Sequence, residues 1–247
     1  MKLLGLGDNV MDAYLFRGEL YPGGNAANVA VLAKRAGAEK SGYIGVLATD
    51  AAGEHFRTVL QAENVDISRL RRGVGRTACN YITLDDQGDR AFSGNNGQET
   101  VQNLYRPIIT SADRMYAATF DVVHSSIHSG LDDALPALSH CADLSMDFSS
   151  DGFTHDNVAR LAPLLRFAFF SAGERSEEQA MEFASFAAEP ESFRATSVPS
   201  KLILTICSAA SPELVMFGFL LSLVIFVLTD FLNAFRQDTG TDGNIAT

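Results

Sequence analysis

The first 65 residues alternate short apolar runs with segments of helical periodicity, and this alternation restricts the fold more than any other feature of the chain. The apolar runs at 2–7 and 43–47 predict buried strands. Each run is followed by apolar residues at helical spacing, over 25–36 and over 51–63. Because strands that alternate with helices build parallel sheets, we predict an α/β fold with a parallel sheet flanked by helices.

The chain continues this pattern as far as residue 188 and adds a hairpin. Further buried strands are predicted at 122–124, 144–148 and 167–170, and further helices at 132–140, 154–164 and 177–188. Residues 77–93 combine strand-forming side chains with a turn at 86–88, which favours a β-hairpin beside the main sheet. The sequence Tyr-Pro-Gly-Gly at 21–24 predicts a turn ahead of the first long helix.

Charge and cysteine content limit the partners and the compartment of the chain. The 247 residues carry a net charge of −11, which provides no electrostatic footprint for nucleic acid and disfavours anionic membrane surfaces. The three cysteines, Cys79, Cys141 and Cys207, form no CxxC pair, so neither a disulfide framework nor a structural zinc site is predicted. The opening apolar run is too short for a signal peptide, and we expect a cytoplasmic protein.

The composition changes near Pro190, and three interpretations of the segment that follows stay open. The apolar run at 214–228 spans roughly 22 Å as a helix, less than the ~30 Å hydrocarbon core of a bilayer. We favour a buried helix or strand pair over a membrane anchor, which would make the chain a membrane-tethered protein. The third interpretation is that residues 190–247 are foreign to the fold. We therefore predict one domain over 1–189 and a divergent apolar segment with a polar tail over 190–247.

Two polar segments lie in the first strand–helix unit of the chain. One comes directly after the first strand, and the other is at the start of the first long helix. Asp8 and Asp12 lie in the first segment, and Asn25 and Asn28 lie in the second. Carboxylates accept hydroxyl protons, and amides both donate and accept. In an open α/β sheet, ligands bind at the carboxyl ends of the strands. The sequence therefore predicts a site for a polyhydroxylated ligand at this edge.

Two glycines precede Asn25 and extend the predicted site. Because Gly23 and Gly24 have no Cβ, a sugar ring can approach the backbone there and reach its N–H groups. A purely structural interpretation stays open beside this one. In that interpretation Gly-Gly-Asn forms only a turn with an N-cap, and Asp8 caps a helix.

Residues 23–56 read GGNAANVAVLAKRAGAEKSGYIGVLATDAAGEHF. This segment closely resembles the N-terminal signature of the ribokinase-like (PfkB-type) carbohydrate kinases. The opening GLGDNVMD, the segment 76–92 and FDVVH at 120–124 extend the resemblance, which covers about residues 2–188. The motifs GDNxxD, GGNAxNVAV and DFS at 147–149 are most similar to the fructoselysine 6-kinase branch. The last ~58 residues do not match, as judged from where the composition changes.

The resemblance implies a ribokinase-like fold with a small β lid, and transfer of phosphate from ATP, with Mg²⁺, to a hydroxyl of a sugar or fructosamine. By family pattern, Asp12 would hold sugar hydroxyls with Asp8 close by, and the residues lining the pocket would be Gly23, Gly24, Asn25 and Asn28. Glu174 matches the acid of the family's Asn-x-x-Glu motif and would help to place magnesium and phosphate. Ser171 stands where that motif has Asn, and we favour a solvated surface acid for Glu174. The hairpin at 76–93 would belong to a lid that excludes water. Lids of this type often pair between subunits, so a homodimer is expected.

The family's second signature, a Gly-Ala-Gly-Asp loop at a helix N-terminus, does not occur in this sequence. Its nearest counterpart is the fragment 238–243, where Asp242 is a remote candidate for the general base. Only four residues follow that fragment, too few for the helix that would stabilise the transferred phosphate. The catalytic residues are therefore unassigned. We favour a truncated or frame-shifted kinase over the alternative of a non-catalytic sugar-binding or regulatory protein of the same fold.

His124 and His128 are four residues apart, a spacing that suits a metal site on a helix. The apolar residues before His124 predict a strand end instead. Residues four apart on a strand do not converge, so we predict no metal site there.

Overall fold

A computed structural model describes residues 1–84, 90–149 and 154–170, together with Ser176 and Glu178. Eleven strands lie within these ranges: β1 Lys2–Leu6, β2 Val10–Tyr14, β3 Glu19–Gly23, β4 Lys40–Ile44, β5 Val46–Ala48, β6 Arg71–Gly73, β7 Cys79–Leu84, β8 Arg90–Asn95, β9 Val122–Ser126, β10 Asp143–Asp147 and β11 Phe167–Phe169. Six α-helices accompany them: α1 Asn25–Arg35, α2 Ala51–Ala62, α3 Val101–Leu104, α4 Ser111–Ala117, α5 Leu135–Leu138 and α6 His155–Leu161.

A five-stranded parallel sheet forms the centre of the molecule, in the order β11-β10-β9-β1-β4. The chain leaves β1 through α1 to β4 on one side, and later returns to add β9, β10 and β11 on the other side. The order of strands therefore reverses between β1 and β9. In open α/β sheets such a switch point creates a crevice at the carboxyl ends of the strands. The predicted α/β fold with a parallel sheet is confirmed.

A second, four-stranded sheet in the order β3-β2-β7-β8 lies beside the central one and is called the small sheet below. Strands β2 and β3 are antiparallel, β7 runs parallel to β2, and β8 is antiparallel to β7. The turn predicted at 21–24 is wrong for its first three residues, which belong to β3. Pro22 is tolerated because β3 is an edge strand, whose backbone need not donate on its outer side.

The hairpin predicted at 77–93 is confirmed as β7 and β8, and its expected turn at 86–88 falls between the described ranges. The strand predicted at 43–47 is instead divided at Gly45. β4 ends before this residue in the central sheet, and β5 follows it in a two-stranded parallel sheet with β6. A Cβ on Gly45 would lie 2.2 Å from the hydroxyl oxygen of Tyr43, so the tyrosine ring occupies the space where a side chain would stand.

The first two helices match their predictions and have clear start signals. The Asp50 side chain accepts the backbone N–H of Gly53 at 2.9 Å and caps α2, and Phe56 and Leu60 bury one face of this helix. The helix predicted at 132–140 is shorter than expected. It consists of a 3₁₀ turn followed by the single-turn helix α5.

Two apolar clusters hold the layers together. One packs β9 and β10 against the helices that follow them, with Phe148, Leu135 and Leu161 at its centre. The other lies between α1, α2 and the small sheet. There Met11 of β2, fully buried, packs with Tyr43 and the α2 residues already named. The small sheet is thus anchored to the helical layer by apolar contacts.

Several expectations concern residues outside the described ranges. These are the predicted helix at 177–188 apart from Glu178, the domain boundary near residue 190, the apolar run at 214–228, Glu174 and Asp242. Within the ranges that are described, no helix combines the length and the apolarity needed to cross a bilayer.

Candidate functional site

Polar side chains meet where β1 and β9 end, at the point where the strand order reverses. Asp8 follows β1, and Ser126 is the last residue of β9. The Ser126 hydroxyl donates to Asp8 Oδ1 at 2.7 Å, which ties the two strand ends together. Asp8, which the sequence placed at the carboxyl edge of the sheet, therefore lies at the topological switch point.

The Asp8 carboxylate accepts hydrogen bonds from four donors. Its Oδ2 accepts the backbone N–H of Asn25 at 2.6 Å, and its Oδ1 accepts that of Ala26 at 3.2 Å. Its Oδ1 also accepts from the hydroxyls of Ser126, at 2.7 Å, and Ser129, at 3.0 Å. Asp8 thereby caps α1 from outside the helix and joins it to β9, and its contact with a sugar stays a prediction.

The cap comes from Asp8 because the N-cap residue of α1 is Gly24, which has no side chain. Gly24 has a φ of +94°, a conformation that favours glycine. A Cβ added there would lie 2.5 Å from Cα of Asn9. The chain can therefore pass from β3 directly into α1 only with glycine at this position.

Asp12 lies within β2 of the small sheet, and not in the loop after the first strand as the sequence pattern suggested. Its carboxylate is half-buried, and Asn80 of β7 donates to it at 3.4 Å. A Cβ on Gly23 would lie 2.9 Å from Asp12 Oδ2, so the carboxylate is adjacent to the bare backbone of β3. The small sheet thus brings Asp12, Gly23 and Asn80 together.

Asn25, the first residue of α1, has a side chain held from two sides. Its Oδ1 lies 2.7 Å from Nε2 of His124, and its Nδ2 donates to Asp147 at the end of β10. Nδ1 of His124 lies 2.9 Å from the Ser145 hydroxyl. The imidazole is fully buried, and burial lowers the pKa of His124 to about 4, although the charge of Asp8 opposes this shift. The ring is therefore neutral at physiological pH.

Asn28 lies three residues after Asn25 on the same side of α1 and is half-buried. The described contacts join Asp8 to Asn25 and place Asp12 beside Gly23. A shared cavity between Asp12 and Asn28 stays a prediction. The sequence reasoning missed Ser126 and Ser129, although their position after a predicted parallel strand was an available signal.

Buried amides connect the small sheet to the rest of the molecule. Asn9, 4% exposed, donates through Nδ2 to the Tyr43 hydroxyl at 2.8 Å and to the Val46 carbonyl at 3.0 Å. Its Oδ1 accepts from Gln102 Nε2 at 2.7 Å, and Gln102 Oε1 accepts the backbone N–H of Ala78 at 2.8 Å. The β1–β2 connection and the segment entering β7 are therefore joined by one hydrogen-bonded network.

Residues 6–182 match the sequence model of the pfkB family of carbohydrate kinases. The chain belongs to this family. Fructosamine kinase FrlD of Bacillus subtilis is 40% identical over 187 residues, a match that covers 76% of this chain and 65% of the relative. Fructoselysine 6-kinase of Escherichia coli is 33% identical over 178 residues, covering 72% and 66%. The chain thus spans about two thirds of the length of these pfkB relatives.

Solved structures agree with this assignment of the fold. A fructokinase from Xylella fastidiosa superposes with a TM-score of 0.62 at 18% identity, covering 84% of this chain and 70% of that protein. Ribokinase from Thermotoga maritima superposes with a TM-score of 0.57 at 13% identity, covering 83% and 72%. The pfkB family assignment and the ribokinase-like fold predicted from residues 23–56 are therefore confirmed.

The histidine pair does not converge. His124 is buried in β9, whereas His128 is exposed in a 3₁₀ turn after that strand. Throughout the described ranges, no three His, Cys, Asp or Glu side chains cluster closely enough to hold a metal ion. Glu174, the residue expected to help place magnesium, lies outside these ranges.

Proposed function

We propose that this chain binds a sugar or fructosamine in the crevice where β1 and β9 end, as part of an ATP-dependent carbohydrate kinase. The observation that supports this most directly is the contact between Asp8 and Ser126 at the switch point, with the N-terminus of α1 against the same carboxylate. Membership of the pfkB family supports a sugar as the acceptor. The names of two relatives, fructosamine kinase and fructoselysine 6-kinase, support the fructosamine class.

Asp12 is the carboxylate that we propose to contact the sugar directly. It is half-buried on the small sheet beside Gly23, and Asn80 donates a long hydrogen bond of 3.4 Å to it. A carboxylate offers about four acceptor positions, which suits hydrogen bonds from sugar hydroxyls. Asp8, with four protein donors, would support the site by fixing the start of α1. Gly23, Gly24, Asn25 and Asn28 would line the pocket.

Phosphate transfer requires more than this pocket. In the proposed reaction the sugar oxygen attacks the γ-phosphorus of ATP, ADP leaves, and the hydroxyl proton passes to a general base. We leave that base unassigned, with Asp242 as the remote candidate and Glu174 as the candidate residue for placing magnesium and phosphate. The small sheet would act as a lid that keeps water from competing as the phosphate acceptor. The absence of a CxxC pair supports a cytoplasmic location.

Replacing Asp12 with alanine tests the pocket. We expect Asp12→Ala to abolish detectable binding of fructoselysine, because hydrogen bonds to a charged acceptor contribute about 1.5–3 kcal/mol each. The free energy of unfolding should change by less than about 1 kcal/mol, since the side chain is only half-buried. Isothermal titration calorimetry and urea unfolding measure the two quantities. Asp133→Ala, at an exposed position, is the matched control, and unchanged affinity in Asp12→Ala would rule out the proposed pocket.

Release of ADP in the presence of ATP and Mg²⁺ separates the kinase from its alternative. A panel of fructosamines and hexoses should include at least one substrate that stimulates ADP release. Binding without turnover would instead support the non-catalytic sugar-binding protein. The coding DNA offers a further test of the frame-shift explanation. A one- or two-base shift within the codons for 185–210 should reveal a downstream Gly-Ala-Gly-Asp sequence.

We also propose that two copies of the chain pair through the small sheet. The small sheet and its β2–β3 turn expose several large apolar side chains, namely Leu15, Phe16, Leu20, Tyr21, Leu84 and Phe92. Scattered exposed apolar residues are normal, but a concentration on one sheet is typical of an interaction surface. A second copy is the occupant that lids of related kinases suggest.

Sedimentation equilibrium tests the proposed dimer. The wild-type chain should sediment as a dimer at micromolar concentration, and Phe16→Glu should shift it towards the monomer because a charge would be buried in the interface. Met115→Glu is the control, since Met115 is 74% exposed on α4. A wild-type monomer, or a Phe16→Glu variant that still dimerises, would contradict this interface.

A further inference from the structure

A buried polar relay links two strands of the central sheet to the start of α1. It consists of Ser145, His124, Asn25 and Asp147, in the order of the contacts described above. His124 and Ser145 are 0% and 2% exposed. Burial of an imidazole is unfavourable unless both of its nitrogens find partners. Both nitrogens of His124 do, so the relay satisfies the ring completely.

The pattern of donors assigns a single tautomer to His124. Asn25 donates through Nδ2 to the Asp147 carboxylate, so the other end of its amide, the carbonyl Oδ1, faces the imidazole. A carbonyl only accepts, and therefore His124 carries its proton on Nε2. Nδ1 must then accept the proton of the Ser145 hydroxyl. Flipping the Asn25 amide would turn its carbonyl oxygen against the carboxylate of Asp147, which is repulsive.

The relay leaves one N–H of the Asn25 side-chain amide for a ligand. A primary amide has two N–H donors, and one of them is used by Asp147. Among the residues that the structure describes, the second Nδ2 proton meets no acceptor. Asp147 is itself held, because its Oδ1 accepts the backbone N–H of Ser149 at 2.8 Å. The direction of the remaining N–H is therefore set by His124 on one side and by Asp147 on the other.

We propose that His124 is a positioning residue for the sugar site and acts through Asn25. Its Nε2–H holds the Asn25 carbonyl, so that the amide presents its second N–H to an acceptor oxygen of the bound sugar. This inference rests on the proposed function for its ligand, but the orientation of the amide is a property of the unliganded protein. The role needs a donor at the position of Nε2 and does not need an imidazole as such.

Nuclear magnetic resonance tests the orientation without any sugar. In ¹⁵N-labelled protein at pH 7, the His124 ring should show a protonated Nε2 and an unprotonated Nδ1, assigned by its loss in His124→Gln. The two Asn25 Nδ2 protons should give separate, slowly exchanging signals. In His124→Leu both signals should change chemical shift and exchange faster with water, because the carbonyl loses its donor and the amide is no longer held in one orientation. Protonation of Nδ1 at pH 7, or unchanged Asn25 signals in His124→Leu, would overturn the proposal.

Affinity for fructoselysine, measured by calorimetry, tests the consequence. His124→Leu should bind at least tenfold more weakly, whereas His124→Gln should stay within threefold of wild type because its amide N–H can replace Nε2–H. The exposed His140→Leu is the matched control and should bind like wild type. A purely structural role predicts that both His124 variants lose affinity in proportion to their loss of thermal stability, and that result would contradict the proposal.

The two experiments separate the inference from the function on which it rests. If the wild-type protein binds neither fructosamines nor hexoses, the proposed function fails, and the resonance measurements alone decide whether His124 orients Asn25. If His124→Leu does not fold, His124→Gln and the wild-type tautomer still decide it. The wild-type protein could show the expected tautomer while a folded His124→Leu variant binds fructoselysine normally. That result would contradict a positioning role for His124.

Discussion

Asp8→Ala should lower the free energy of unfolding by about 4 kcal/mol, the largest effect that we expect from any substitution at the candidate site. The variant leaves two backbone N–H groups of α1 without a cap, which costs about 1 kcal/mol. It also leaves the buried hydroxyls of Ser126 and Ser129 without their charged acceptor, and bonds to charged groups contribute about 1.5–3 kcal/mol each. Urea unfolding followed by circular dichroism measures the loss.

Two comparisons show whether this loss reflects the cap. Asp8→Asn retains one acceptor oxygen of similar shape, so its loss should be about half as large. Asp12→Ala removes a half-buried carboxylate on the small sheet that does not cap α1, and its stability should be close to wild type. If Asp8→Ala were as stable as Asp12→Ala, the contacts from Asn25, Ala26 and the two serines would contribute no net stability.

Asp113→Asn should cost about 3 kcal/mol at pH 7, although Asp113 lies away from the candidate site, on α4. Its side chain is fully buried, and Arg69 and Arg71 both pair with it. Its Oδ2 also accepts the backbone N–H of Thr110 at 2.8 Å. Removing one partner from a buried charge cluster typically costs 3–5 kcal/mol, and the partial exposure of the arginines places this case at the lower end.

The cost of Asp113→Asn should depend on pH with a defined sign. Burial alone would raise the pKa of Asp113, but hydrogen bonds from Thr110 and the two arginines outweigh it and lower the pKa to about 2. A carboxyl whose pKa is lower in the folded state contributes stability above its unfolded pKa, about 3.9, and loses it as the pH falls through the folded value. The difference between wild type and variant should therefore shrink between about pH 5 and pH 2.

A surface ion pair provides the control for Asp113. Asp143 pairs with Arg166 at 2.9 Å, and both side chains are partly exposed. Asp143→Asn should cost less than about 1 kcal/mol, because exposed pairs contribute little. Equal losses in the two variants, or a loss in Asp113→Asn that does not change with pH, would show that the buried cluster is not the source of the stability.

The central sheet could be predicted because its strands are buried on both faces. Leu3 and Leu4 of β1, and Val122 and Val123 of β9, are therefore apolar at successive positions, which is the typical signal of a parallel strand. The small sheet was harder to predict. β2 and β3 contain Asp12, Pro22 and Gly23, residue types that are depleted in strands, and their pairing depends on contacts with β7 that are distant in sequence. The helices α3 and α4 are too short to show periodicity.

The sequence placed Asp8 and Asn25 at the carboxyl edge of the sheet, where the structure has them, but it did not reveal their side-chain contacts. Their part in a sugar site stays a prediction. Asp8 was identified as a sugar ligand from its residue type, whereas its four donors come from α1 and from the serines around residues 126–129. The sequence left open that Asp8 caps a helix, which its contacts with α1 confirm, but no pattern near Asp8 indicates the two serines. His124 was considered only for a metal, because the sequence does not show that Asn25 lies 2.7 Å from its ring. Side chains that act through tertiary neighbours need the fold before their roles can be inferred.

Asp8 and Asp12 belong to different parts of the molecule, Asp8 to the central sheet and its first helix and Asp12 to the small sheet. The Asp8 carboxylate lies directly after β1 and accepts hydrogen bonds from α1 and from the end of β9. Asp12 lies on the small sheet, which is joined to the rest of the molecule at Gly24 and through the hydrogen bond between Gln102 and Asn9. Under the proposed function, substitutions on the small sheet would change the accepted sugar while the contacts that join α1, β1 and β9 through Asp8 stay unchanged.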